Sequence, residues 1–122
     1  MERKIEENKI YLIFDGSKTG HPGFILWAND SYNIYLIIKI GSSKNDHNFL
    51  FNLKDKNRKE PTYIYKKALL AKRKDIGKKS FTDFVFSNDE ILKILSTIDT
   101  NNPAETPSIR RKDRRNFKRF YK

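Results

Sequence analysis

Apolar residues along this chain gather in short runs separated by turn-forming residues, and most runs are too short to be helices. Lys9-Ile10-Tyr11-Leu12-Ile13-Phe14 reads as a buried first strand, and Asp15 to Gly23 is a loop by its Gly, Pro and Ser content. Phe24-Ile25-Leu26-Trp27-Ala28 is a second apolar run, Asn29-Asp30-Ser31 a turn, and Tyr32 to Ile40 a third strand rich in Ile and Tyr. Gly41 to Asp46 breaks that strand. From His47 to Leu53, the residues Phe49, Phe51 and Leu53 fall at every second position, the spacing of one buried strand face. Lys54 to Pro61 is a charged connector, and Thr62 to Tyr65 opens another strand. Lys66 to Lys74 is ambiguous, because Ala68, Leu69, Leu70 and Ala71 suit a helical turn or a continued strand. Asp75 to Lys79 reads as a basic turn centred on Gly77, and Phe81 to Phe86 as the last strand.

One segment carries helical spacing. Ser87-Asn88-Asp89-Glu90 is a capping box, with Ser87 as N-cap and Glu90 three residues on. Ile91, Leu92, Ile94, Leu95 and Ile98 then recur so that one helix face lies on the sheet. Thr100 to Pro107 reads as a linker, and Ser108 to Lys122 as a basic tail with interspersed aromatics. The expected organisation is a β-rich domain with a closing helix over 1–99, a linker over 100–107 and a tail over 108–122. Five or six short strands at nearly regular spacing and one C-terminal helix predict a mainly β (β-rich α+β) fold, a small curled antiparallel sheet or barrel.

Composition narrows the class. The chain has 122 residues, one domain's worth. It has no cysteine, which excludes a disulfide framework and any thiolate metal site and fits a reducing cytoplasmic setting. The first residues are charged and form no apolar stretch of signal-peptide type, and no apolar run approaches the roughly 20 residues of a spanning helix, so no membrane partner is expected.

Charge says more. The net charge is +11, and it is unevenly spread. Residues 1–53 hold six basic and six acidic groups, residues 54–79 eleven and three, residues 80–107 one and five, and residues 108–122 eight and one. Two segments therefore hold more than the whole excess. Positive charge concentrated in this way draws phosphates and releases counterions on binding. The expected ligand is a polyanion, RNA above all, with DNA left open. Phosphate-gripping candidates are Lys44, His47, Lys72, Arg73, Lys74, Lys78 and Lys79, and in the tail Arg110, Arg111, Arg114, Arg115 and Arg119, with Phe117, Phe120 and Tyr121 available to stack on unpaired bases. Trp27, Tyr32 and Tyr35 read as core.

The order of pieces resembles the MazF/PemK-like barrel of toxin–antitoxin ribonucleases, a group that includes the ToxN/AbiQ-type toxins. Gly20-His21-Pro22-Gly23-Phe24-Ile25-Leu26 looks like that family's loop and second strand, Asn29-Asp30 like the turn after it, Tyr35 to Lys44 like the strand ending in a hydroxyl-rich loop, and Lys72 to Ile98 like the basic turn, last strand and closing helix. The resemblance implies an SH3-like barrel, a metal-independent endoribonuclease acting on single-stranded RNA, an antitoxin partner and a homodimer. It also implies a departure: His21 stands where the family has its loop arginine, while Ser42-Ser43-Lys44 fits the paired hydroxyls and lysine of the ToxN-like pattern.

RNA is cut without metal when the ribose 2′-hydroxyl attacks its own phosphate, a base takes its proton and an acid protonates the leaving oxygen. His titrates near neutrality and suits both proton steps. The candidate catalytic group is accordingly His21, Ser42 and Ser43, with Lys44 and Arg73 as cations. Other templates fail: no cysteine nucleophile, no complete phosphate-binding glycine loop around Gly16-Ser17-Lys18-Thr19, no zinc spacing and no cofactor motif. Two rival readings stay open, a non-catalytic RNA- or DNA-binding module and an interaction protein whose basic tail clamps an acidic partner.

Overall fold

In a computed structural model the described residues form eight strands and two helices. The structure describes residues 4–16, 19–41, 43–51, 62–82 and 86–121; over 79–82 the backbone alone is described. In chain order the elements are β1 (Ile10–Ile13), β2 (His21–Asn29), β3 (Ile34–Gly41), β4 (Asn48–Phe51), β5 (Thr62–Tyr65), β6 (Lys67–Ala71), a 3-10 turn (Arg73–Asp75), β7 (Ile76–Thr82), α1 (Asn88–Thr97), β8 (Asp99–Glu105) and α2 (Arg111–Phe120). The hydrogen-bonded path is β4-β5-β3-β2-β1-β7, with β6 also on β3 and β8 on β6. The pairs are antiparallel except β6 with β8. The fold is mainly β, as the sequence predicts. Among the described residues no pairing joins β4 to β7.

The central strands are apolar on both faces because the sheet is covered on both. Ile34, Leu36, Ile38 and Ile40 of β3 join Phe24, Ala68, Leu70, Ile94 and Phe117 in one cluster. Tyr35 and Ile37 join Tyr11, Ile13, Ile25, Leu69 and Ala71 in the other. A near-continuous apolar run such as Ile34 to Ile38 is the signature of a strand buried on both sides. Between Ile25 and Trp27 the β2–β3 register shifts. That bulge turns Trp27 onto the helix-covered face, where its ring meets Phe117 at 5.9 Å and Tyr121 at 5.6 Å.

Several expectations change. His21, Pro22 and Gly23 belong to β2 and not to a loop. Gly23 is there because a Cβ would sit 2.5 Å from Ile13 Cγ1 and 2.7 Å from Ile37 Cγ2. Gly77 is likewise no turn centre: it lies in β7, where an added Cβ would come within 3.3 Å of Leu12. The ambiguous stretch resolves into β6, whose Ala68 to Ala71 are buried on alternate faces. The capping box at Ser87 and Glu90 forms in both directions, at 3.2 and 2.9 Å. Helix α1 buries only Ile94 completely, and Leu92 and Leu95 face outward.

The largest correction concerns the C-terminus. The expected linker is strand β8, parallel to β6. It escapes a sequence reading because, among the described residues, it pairs on one side only and keeps mostly polar side chains in solvent. Asp99 Oδ1 accepts the backbone N–H of Asn101 and Asn102, which turns these polar residues into a bulge that also accommodates Pro103. The expected tail is helix α2, docked on the body. Ile109, Asp113, Phe117 and Tyr121 recur every fourth residue and form its inward stripe.

Candidate nucleic-acid interface

Helix α2 is fixed by buried polar groups as well as by its aromatics. Asp113 is 1% exposed; its Oδ1 accepts from Lys72 Nζ at 2.9 Å and its Oδ2 from the Arg110 backbone N–H at 2.9 Å. Burial alone would raise this carboxyl, but the Arg110 N–H and the Lys72 ammonium outweigh it and hold it below the ordinary range. In the 3-10 turn three residues after Lys72, the buried Asp75 accepts from Thr106 Oγ1 at 2.7 Å, Ser108 Oγ at 2.8 Å and the Lys72 N–H at 3.0 Å. Both carboxylates bridge the 72–75 turn to the segment entering α2. Lys72 and Asp75 thereby tie the end of β6 and the 3-10 turn to the start of α2.

With the inward stripe fixed, the remaining residues of α2 point away. Arg111, Lys112, Arg114, Arg115, Lys118 and Arg119 are exposed, as are Arg110 before the helix, Lys74 in the 3-10 turn and Lys78 in β7. Arg114 is held by both oxygens of Glu105, at 2.5 and 2.7 Å, which lowers the Glu105 carboxyl and raises the guanidinium. Arg119 lies over the Phe120 ring. Phe117 is a correction: it is 3% exposed, between Trp27 and Tyr121, and no base can reach its face. Lys72 is committed to Asp113. The side chain of Lys79 lies outside the described residues.

Arg73 stands apart from the other residues of the group expected from the sequence. Arg73 sits at the β2–β3 turn, where its N–H donates to Asn33 Oδ1 at 2.7 Å and its guanidinium meets Asp30 at 3.4 Å and the Tyr35 ring at 5.9 Å. The same Asp30 accepts from Tyr35 Oη at 2.6 Å; burial, then that bond, pushes the phenol far above its ordinary value. His21 is at the opposite end of β2. Eight residue steps separate it from Asn29, about 26 Å at ~3.3 Å per residue. Arg73 is a turn-fixing residue here.

Other groups gather round His21. It is exposed and shares a sheet face with Gly23, Lys39 and Gly41, because Gly23 pairs with Lys39 and the faces alternate. Lys39 Nζ meets Asp15 Oδ2 at 3.1 Å and lies 4.8 Å from the centre of the Tyr65 ring. Burial works to raise Asp15, but Lys39, with a smaller contribution from His21, holds it below its ordinary range. Asn45 Nδ2 donates to Tyr65 Oη at 3.3 Å. The 43–47 loop is pinned beside them: buried Asn48 donates to the Ser43 carbonyl at 3.0 Å and accepts from the Asn45 N–H at 3.0 Å. Ser43, Lys44 and His47 are exposed on that loop, and Ser42 lies outside the described residues.

No family model, curated protein or solved structure matches this chain. The site therefore rests on its own geometry. Among the described residues no group of three His, Cys, Asp or Glu gathers as metal ligands, and no helix is long and apolar enough to cross a membrane. Sequence reasoning missed Asp15, Lys39, Asn45 and Tyr65. Lys39 carried a signal: it is the one charge within the apolar run Tyr35 to Ile40, at the point where that face leaves the core.

Proposed function

We propose that this chain binds nucleic acid, RNA foremost, by gripping phosphates along the outward face of α2. The observation that carries the reading is the inward stripe Ile109-Asp113-Phe117-Tyr121, which fixes a row of Arg and Lys outward. Guanidinium groups present fork-shaped donors that suit phosphate oxygens.

The cluster at the other end of β2 supports a cleaving form of the same reading, in line with the resemblance to MazF/PemK-like toxins. His21 is exposed for proton transfer, and Lys39 supplies a fixed cation beside it. In that reaction a bond forms between the ribose 2′-oxygen and phosphorus while the phosphorus–5′-oxygen bond breaks. The base takes the 2′-proton, and the leaving oxygen is protonated. The test is incubation of the full chain with end-labelled single-stranded RNA in EDTA. Cleavage abolished by His21→Ala supports the ribonuclease; a shifted but intact band supports a non-catalytic module. No retention of RNA or DNA, with capture of an acidic protein instead, refutes the proposal and leaves the partner-clamping alternative.

A further inference from the structure

The face that carries His21 and Lys39 continues across β5 and β4, and there it offers apolar and aromatic surface to solvent. Along β3 this face reads Tyr35, Ile37, Lys39, Gly41: the first two are fully buried, the last two only half-buried. The second core cluster therefore stops at Ile37, and the sheet opens beyond it. Gly41 pairs with Tyr63, and Tyr63 pairs with Leu50, so the three stand side by side across β3, β5 and β4. The Tyr65 ring lies over Gly41, where an added Cβ would stand 3.5 Å from it; Tyr63 is half-buried, and Leu50 is 58% exposed. Among the described residues no other ring lies against Tyr63. Tyr65, two residues on, has its hydroxyl held by Asn45 and its ring beside the Lys39 ammonium, so it fixes that cation at the border of the opening. Lys44, His47 and Lys66 are exposed on the adjoining loop and strand end.

We infer that this opening is a base-stacking platform for single-stranded nucleic acid, with Tyr63 as the ring and Leu50 as its apolar neighbour. The inference rests on the phosphate-gripping reading above and adds the part of the ligand that reading leaves unassigned. Every base has a π-face that stacks on an accessible aromatic ring, here the uncovered part of the half-buried Tyr63, whereas a duplex keeps those faces covered. An apolar strip bordered by Lys39, Lys44 and His21 complements a ligand that alternates flat apolar bases with phosphates. A protein partner or a second copy covering Leu50 is the competing occupant.

The experiment titrates the full chain with a fluorescent single-stranded RNA, an abasic strand of the same length and charge, and a hairpin duplex. The inference expects the normal strand to bind about tenfold or more tightly than the abasic one, since a stacked base contributes on the order of 1–3 kcal/mol. Tyr63→Ala is expected to remove that advantage while leaving the abasic affinity unchanged, and Tyr63→Phe to retain it. Equal wild-type affinity for normal and abasic strands overturns the platform, and needs no variant to fold. Failure to bind either strand overturns the phosphate reading as well, so the two failures are distinguishable. A dimer broken by Leu50→Asp and untouched by the oligonucleotide also overturns it.

Discussion

Replacing Asp113 by alanine tests how α2 is held. The carboxylate is buried, and two bonds converge on it, one from the Lys72 ammonium and one from the Arg110 backbone N–H. Losing an acceptor in the first turn of a helix costs about 1 kcal/mol. Orphaning a fully buried partner costs about 3–5 kcal/mol, but the Lys72 side chain retains 17% exposure and its ammonium can turn toward water, so about 1–2 kcal/mol is the fitting share. The sum is about 2–3 kcal/mol. Trp27, the only tryptophan, packs edge-on against Phe117 and Tyr121 and so reports α2 docking directly. Urea unfolding followed by its fluorescence should show that loss, and Lys72→Met in the Asp113→Ala background should recover part of it by removing the orphaned charge. A loss below about 0.5 kcal/mol, or no recovery, refutes the view that this pair anchors the helix.

Gly23→Ala forces a methyl group against Ile13 and Ile37 and should destabilise the fold by about 1–3 kcal/mol; a thermal melt that does not move contradicts the two-faced core at β2. Arg73→Ala should lower stability, through the Asp30–Asn33 turn, and leave any RNA cleavage rate intact; lost cleavage in a folded variant would return Arg73 to the site. The carboxyls of Asp15, Glu105 and Asp113 all lie below their ordinary values of 3.8 to 4.5. The unfolded chain therefore takes up protons first as pH falls. The stability these groups add is complete above about pH 5 and drains away from about pH 4 downward, through the lowered folded values. A chevron or melt series showing no loss between pH 5 and 3 would contradict these pairings.

The parts of the fold legible in the sequence are those whose pattern is set by burial. The runs at Lys9–Phe14, Phe24–Ala28 and Tyr32–Ile40 are strands, and the Ser87–Glu90 box opens a helix, because local chemistry and tertiary position agree there. Where the sequence misleads, a residue's usual role is overridden by a neighbour distant in the chain. Gly23 and Gly77 look like turn formers, but they are small because Ile13, Ile37 and Leu12 come close. Thr100 to Pro107 looks like a linker, because a polar, bulged strand, paired on one side among the described residues, leaves no periodic trace. The stripe at 109, 113, 117 and 121 was hidden by surrounding arginines and by an aspartate at a buried position, which makes sense only beside Lys72. At the candidate site, His21 opens β2 and Ser43 and Lys44 follow the end of β3, so the three lie at one end of that pair. Arg73 does not, since sequence distance carries no information about which end of a strand a later turn will reach.

The central claim is that α2 presents a fixed row of cations to nucleic-acid phosphates, and the salt dependence of binding tests it most directly. Affinity for a single-stranded RNA should fall linearly on a log–log plot against salt. Five outward cations free of Glu105 set a slope of about −3.5, at ~0.7 per phosphate neutralised. In Arg111→Glu/Arg115→Glu the slope should be shallower, by at least about 1. A wild-type slope near zero, or a double variant that binds with the wild-type slope, would contradict the account.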